Sequence, residues 1–182
     1  MLQVTLRTMS RCLLMLAAFL PAVMPSTAQT QIPAPVLSYD WIIGRWGCKG
    51  ITPAGKVDYT FAQQIERPSS SLWFRFHAVP VRGAVDRELA SDTSFQTYDS
   101  KAHLWRYFAF YDSGAYSMGT APDFVNNKQS WTGYTYEDGV RKSWGRIVFI
   151  KISDHEKRED FYQPGRNGKE DFVGSEVCRK SN

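Results

Sequence analysis

The chain has 182 residues, with 22 Lys+Arg against 18 Asp+Glu for a formal charge of +4, and aromatic residues make up 14% of it. That ring content excludes a disordered chain. After residue 28 no more than two Lys/Arg stand in succession, which argues against a nucleic-acid surface, because phosphate binding needs clustered cations.

Residues 1–28 read as a secretory signal peptide rather than as fold. Arg7 and Arg11 give a basic start, Cys12 to Met24 is an apolar run, and Ser26 and Ala28 set small residues ahead of a cut before Gln29. The run is short for a membrane span, and Pro21 interrupts it. Its removal leaves 20 Lys+Arg against 18 Asp+Glu, so the basic balance is partly a targeting feature. About 154 residues remain, enough for one domain with a real core. The expected location is periplasmic or secreted, with no membrane span after the leader is cut.

Residues 29–36, with Pro33 and Pro35, read as an extended tail, and residues 37–182 as a single domain. Ser38 is placed to cap a short helical turn through YDWIIG, ended by Gly44. From there the hydrophobic period is two. Strands are predicted over Arg45–Thr52, Lys56–Glu66, Ser71–Val79, Thr93–Asp99, Leu104–Tyr111, Ala115–Thr120, Gln129–Glu137, Ser143–Ile152, Glu159–Gln163 and Asp171–Cys178. Val57, Tyr59, Phe61 and Ile65 share one face of the second strand, and Leu72, Phe74 and Phe76 one face of the third. Parallel pairing needs long crossovers, for which the short turns leave no room. The fold class is therefore all-β, an antiparallel meander of about ten strands. Closing it into a barrel removes both exposed edges, whereas a sandwich would call for Greek-key crossovers.

With Cys12 in the leader, Cys48 and Cys178 remain, in the first and last strands. Two cysteines in an exported chain predict one disulfide, the alternative being two free thiols. Neither has a second Cys or His at ligand spacing, and no metal site is predicted.

The opening W-x-x-G-x-W-x-x-x-G, made by Trp41, Gly44, Trp46 and Gly50 ahead of TPAGKVDYTFAQQIE, resembles the calycin superfamily. It is nearer to the small bacterial lipocalin-like and nitrobindin-like barrels, and to an exported group with the same opening. TYDSKAHLWRYFAFYDSG and NNKQSWTGYTYEDG are similar to that group as well. Within such a barrel, Trp41, Gly44 and Trp46 would form a plug at one end, the glycines letting the first strand bend. Nitrobindin-like proteins that hold haem use a histidine near the C-terminal strands. Here His155 lies in the charged turn SDHEKRED and His103 in a hairpin turn, so no cofactor is expected, haem included. His77, inside a strand, is the histidine best placed to face a cavity.

A small closed barrel either fills its interior with side chains or holds one small ligand. Arg75, Arg106 and Arg146 each sit inside an apolar strand. Arg106 and Arg146, on faces shared with Phe108, Phe110 and Trp144, are candidates to hold an acidic head group through guanidinium–carboxylate pairing. The alternative places these arginines on the outer wall or against internal acids, since both faces of their strands carry rings. Tyr59, Phe61, Phe74, Phe76, Phe108, Phe110 and Trp144 are the candidate lining of a cavity, or else simply core. No catalytic set is recognised: Ser70 and Ser71 lack a nucleophile-elbow context, and there is no phosphate loop. The favoured expectation is thus an exported binding protein holding a small apolar or amphipathic ligand, an acidic one included. The alternative is an interaction or structural protein of the envelope with a filled barrel, using residues 80–90 and 121–128 as contact loops. An enzyme is the least favoured reading.

Overall fold

The computed structural model describes residues 31–69, 71–81, 92–166 and 168–181. The signal peptide expected over 1–28 and most of the 80–90 connection lie outside the described residues. A short helix α1 (Ala34–Ser38) and a 3-10 turn (Asp40–Ile42) lead into ten strands: β1 (Gly44–Ile51), β2 (Val57–Glu66), β3 (Trp73–Pro80), β4 (Asp92–Asp99), β5 (Leu104–Tyr111), β6 (Tyr116–Ala121), β7 (Lys128–Glu137), β8 (Val140–Ser153), β9 (Glu156–Pro164) and β10 (Glu170–Lys180). Each strand pairs antiparallel with its sequence neighbour, and β1 closes on β10 to complete a barrel.

Three expectations shift. The helix starts at Ala34, inside the segment expected to be extended. Pro33 stands at the cap and Pro35 in the first turn, where a missing N–H costs nothing. Ser38 does not cap the next turn; its hydroxyl donates to the Pro35 carbonyl at 2.8 Å. The start of β9 lies at Glu156 rather than Glu159, because EKRE reads as a solvated turn while Lys157 in fact points into the barrel and pairs with Lys151 across the ladder.

The seam between first and last strands runs from Trp46↔Lys180 to Ile51↔Ser175, with Cys48 directly opposite Cys178. Their sulfurs form a disulfide, the Cα atoms 4.0 Å apart, and both residues are buried. The α1 end of the barrel is solid. Val36, Tyr39, Ile42 and Trp46 are almost fully buried there. The Tyr39 ring meets Phe74 at 5.1 Å and Trp105 at 4.7 Å, and its hydroxyl donates to Gln96 Oε1 at 3.1 Å. Trp46 Nε1 donates to the Ile42 carbonyl at 2.7 Å. Arg67 clamps the segment to the β2–β3 turn through a two-pronged pair with Asp40, at 2.7 and 2.5 Å. Of the expected plug, Trp46 sits in the floor and Trp41 packs edge-on to it at 6.2 Å, half-buried. The floor's centre is Tyr39.

The disulfide closes a span of 130 residues, for which chain entropy predicts a stabilisation of up to about 5 kcal/mol. The double substitution Cys48→Ser/Cys178→Ser should lower the unfolding free energy by roughly 3–5 kcal/mol. Guanidinium unfolding of both forms, followed by tryptophan fluorescence, measures the difference.

Candidate functional site

Above the floor, at the end opposite α1, the barrel interior is a cavity of about 570 Å³. Two rows across the sheet shape it, and glycine is the device in both. In the first row Tyr59 on β2, Gly50 on β1, Glu176 on β10 and Glu159 on β9 are successive cross-strand partners. A Cβ at Gly50 would lie 2.3 Å from the Tyr59 ring. The bare glycine therefore lets that ring lie across β1, and its hydroxyl donates to Glu176 Oε1. In the second row Tyr107, Gly119 and Gly133 are partners on β5, β6 and β7. Trp144 lies over both glycines, where any Cβ would come within 2.7 Å of its ring. It reaches Tyr107 edge-on at 5.5 Å, and its Nε1 donates to Thr135 Oγ1 at 2.9 Å. Thr135 continues through Ser117 to the Tyr111 hydroxyl at 2.6 and 3.0 Å.

Trp144 gains this position from a bulge. Gly133 pairs with Gly145 and Tyr134 with Ser143, so Trp144 is the extra residue and has no partner in the β7–β8 ladder. Gly145 takes φ +78°, a conformation that other residues rarely adopt, and a Cβ there would stand 2.1 Å from the Tyr162 carbonyl oxygen.

Of the candidate lining, Tyr59, Phe61, Phe76 and Trp144 border the cavity. Phe74 belongs to the floor. Phe108 packs on the outer wall against Trp73 at 6.1 Å, and Phe110 is 56% exposed. Arg106 alternates with the inward Trp105 and Tyr107 and pairs with Asp99 at 3.1 Å. Arg146 sits past the bulge, off the lumen, paired with Glu170 at 2.6 Å and stacked on Tyr162. Arg75, on the outer face of β3, pairs with Glu66. None of the three histidines borders the lumen. His77 is exposed beside Thr93, and His103 and His155 occupy turns. His77 does not face the lumen, because Phe74, Phe76 and Ala78 take the inward positions of β3; it borders instead a shallow outer pocket with Gln64, Glu66, Arg75 and Thr93.

What the lumen holds instead is acid. Asp58, Asp92, Glu159 and Glu176 line it, with Gln63, Ser94, Gln96, Tyr107, Tyr111 and Trp131. Lys157 lies below, fully buried, its Nζ 2.9 Å from Gln63 Oε1 and 3.4 Å from Glu159 Oε1, over the rings of Trp46 and Phe149. Burial, reinforced by the Glu159 charge, pushes the Glu176 carboxyl up to about 7. Burial also raises Asp92 to about 6, against the pull of the Ala78 backbone N–H. Tyr59, Tyr107 and Tyr111 are raised by burial as well and stay protonated donors.

No family model matches the chain, and no curated protein matches it. Among solved structures it is similar to the crystal structure of Rv2717c from M. tuberculosis, with a TM-score of 0.57 at 9% identity, over 84% of this chain and 100% of that one. That likeness is one of fold.

Two outcomes test the site. Gly50→Ala should drive the Tyr59 ring off Glu176 and destabilise by roughly 1–3 kcal/mol, while adding Tyr59→Ala should recover part of the loss. Urea unfolding of the four members of this cycle measures the coupling. The second concerns pH. Glu176 and Asp92 hold protons more tightly folded than unfolded. The folded chain therefore binds more protons between about pH 4.5 and pH 7, and stability falls as pH rises through that window. Glu176→Gln should flatten the fall and stabilise the protein at pH 8 by on the order of 2 kcal/mol, read from urea midpoints at pH 5 and pH 8.

Proposed function

We propose that this chain is an exported binding protein whose barrel holds one small amphipathic molecule. The cavity carries this reading. Its volume of about 570 Å³ falls within the range of roughly 300–1,000 Å³ usual for small-molecule sites. Small inward residues, Ala78 and Ser94, stand in its wall where a filled barrel would need bulk. Phe61, Trp131, Trp144 and Phe149 give the wall its apolar area, and Gln63, Ser94 and Gln96 give it polar handles.

The calycin-like opening supports the same reading: a stoppered floor under a meander that closes on itself is a cup. The lipocalin-like and nitrobindin-like barrels named by the resemblance are the finer form of this proposal. Export is supported by the leader pattern over 1–28 and by the disulfide. Among the described residues no helix is long and apolar enough to cross a membrane. The acidic-ligand form of the expectation loses its support, because Arg106 and Arg146 already have partners off the lumen.

Native mass spectrometry of the protein purified from its own periplasm tests the reading. One small molecule should co-purify per chain and leave on denaturation. Ala78→Phe, which fills the upper lumen, should abolish the adduct while the disulfide and the far-ultraviolet β spectrum persist. An adduct equally abundant in that variant would contradict lumen binding.

A further inference from the structure

We propose that the molecule the lumen takes is an organic cation: a protonated amine carried on an aromatic or apolar body. This rests on the reading of the lumen as a binding site and adds its chemistry. Asp92, Glu159 and Glu176 line the cavity, and no Lys, Arg or His is among its described lining residues. Glu159 and Glu176 are direct partners on adjacent antiparallel strands. Like charges set opposite each other on one face of a sheet destabilise it, and burial strengthens the repulsion by lowering the effective dielectric.

Lys157 answers this arrangement in part. Its ammonium is engaged by Gln63 and Glu159 and lies beneath the cavity rather than in its lining. Glu176 receives a neutral hydroxyl from Tyr59, and Asp92 a backbone N–H from Ala78. Glu159 and Asp92 both act on Glu176 through their charges, with Lys157 opposing them. Among the described lining residues there is no second positive charge, and a ligand can bring one. An anion would meet repulsion from Asp92, Glu159 and Glu176, and a neutral molecule would desolvate these three without bringing a charge to offset them. A metal ion is a poorer occupant, since among the described residues no three His, Cys, Asp or Glu side chains converge to hold one. The walls suit an organic cation, because Tyr59, Tyr107, Trp131 and Trp144 present aromatic rings on which an ammonium is attracted.

Titration calorimetry on the oxidised wild-type protein, with two charge-matched sets, tests the assignment: tryptamine, tryptophol and indole-3-acetate, and phenethylamine, 2-phenylethanol and phenylacetate. At pH 8 at least one amine should bind roughly tenfold or more tightly than its alcohol, and its acid more weakly still. Amine affinity should fall roughly tenfold from pH 8 to pH 5.5, and buffers of different ionisation enthalpy should show protons released on binding. Glu176→Gln and Asp92→Asn should each narrow the gap between amine and alcohol. An alcohol or acid that binds as tightly as its amine overturns the cation assignment while leaving lumen binding intact. So does amine binding that neither pH nor either substitution changes. Failure of every member of both sets to bind overturns both readings.

Discussion

Closure of β1 on β10 is the constraint from which the rest follows. Ten strands meeting edge to edge fix a circumference, and the circumference fixes an interior too wide to be filled from one end to the other by ordinary side chains. The seam also fixes register. With Cys48 opposite Cys178, the next inward pair up the barrel is Gly50 opposite Glu176. That places a residue with no side chain between a tyrosine and a carboxylate, and the Tyr59–Glu176 contact crosses the gap. The disulfide thus does two things at once. It restricts the unfolded chain, and it sets the row in which the lumen's acidic pair stands.

The interior divides along the barrel axis. Toward α1, rings fill it: Tyr39, Trp46, Phe74 and Trp105 leave no room for a guest. Toward the other end, glycine and serine replace bulk on the inner face, and the two large rings that do enter, Tyr59 and Trp144, lie flat against glycine backbones rather than across the opening. The cost of this design is electrostatic. Glu159, Glu176 and Asp92 share a low-dielectric space with the buried Lys157 ammonium below them. Departures from the rule that buried charges are paired are expected where a site needs them.

Much of this was readable from the residues. Short turns and a period of two dictated the meander, and two cysteines in its terminal strands dictated the seam. On β2 and β3 the inward faces follow simple alternation, so Tyr59, Phe61 and Phe76 reach the lumen as expected. On β5 alternation is ambiguous, because LWRYFAFY has rings on both faces. The polar, buried Ser94 and Gln96 on the neighbouring strand fix which face is inward, and Tyr107 and Tyr111 take it instead of Phe108 and Phe110. On β8 the bulge at Trp144 changes the alternation between Trp144 and Arg146, which no period-two count can anticipate. Glu176 was within reach, since it stands two residues before Cys178 and so shares its inward face. The polar lining on β9 was obscured because its charged run, EKRED, reads as a solvated turn.

Residue-resolved hydrogen exchange of the oxidised protein tests closure most directly. The account predicts that amides bonded across the β1–β10 seam, from Gly47 to Ile51 and from Ser175 to Arg179, are protected to the same order as those of the β7–β8 ladder. Seam amides exchanging at the rate of the open turns, with β7–β8 still protected, would mean that the sheet has two free edges, and the cup would not exist.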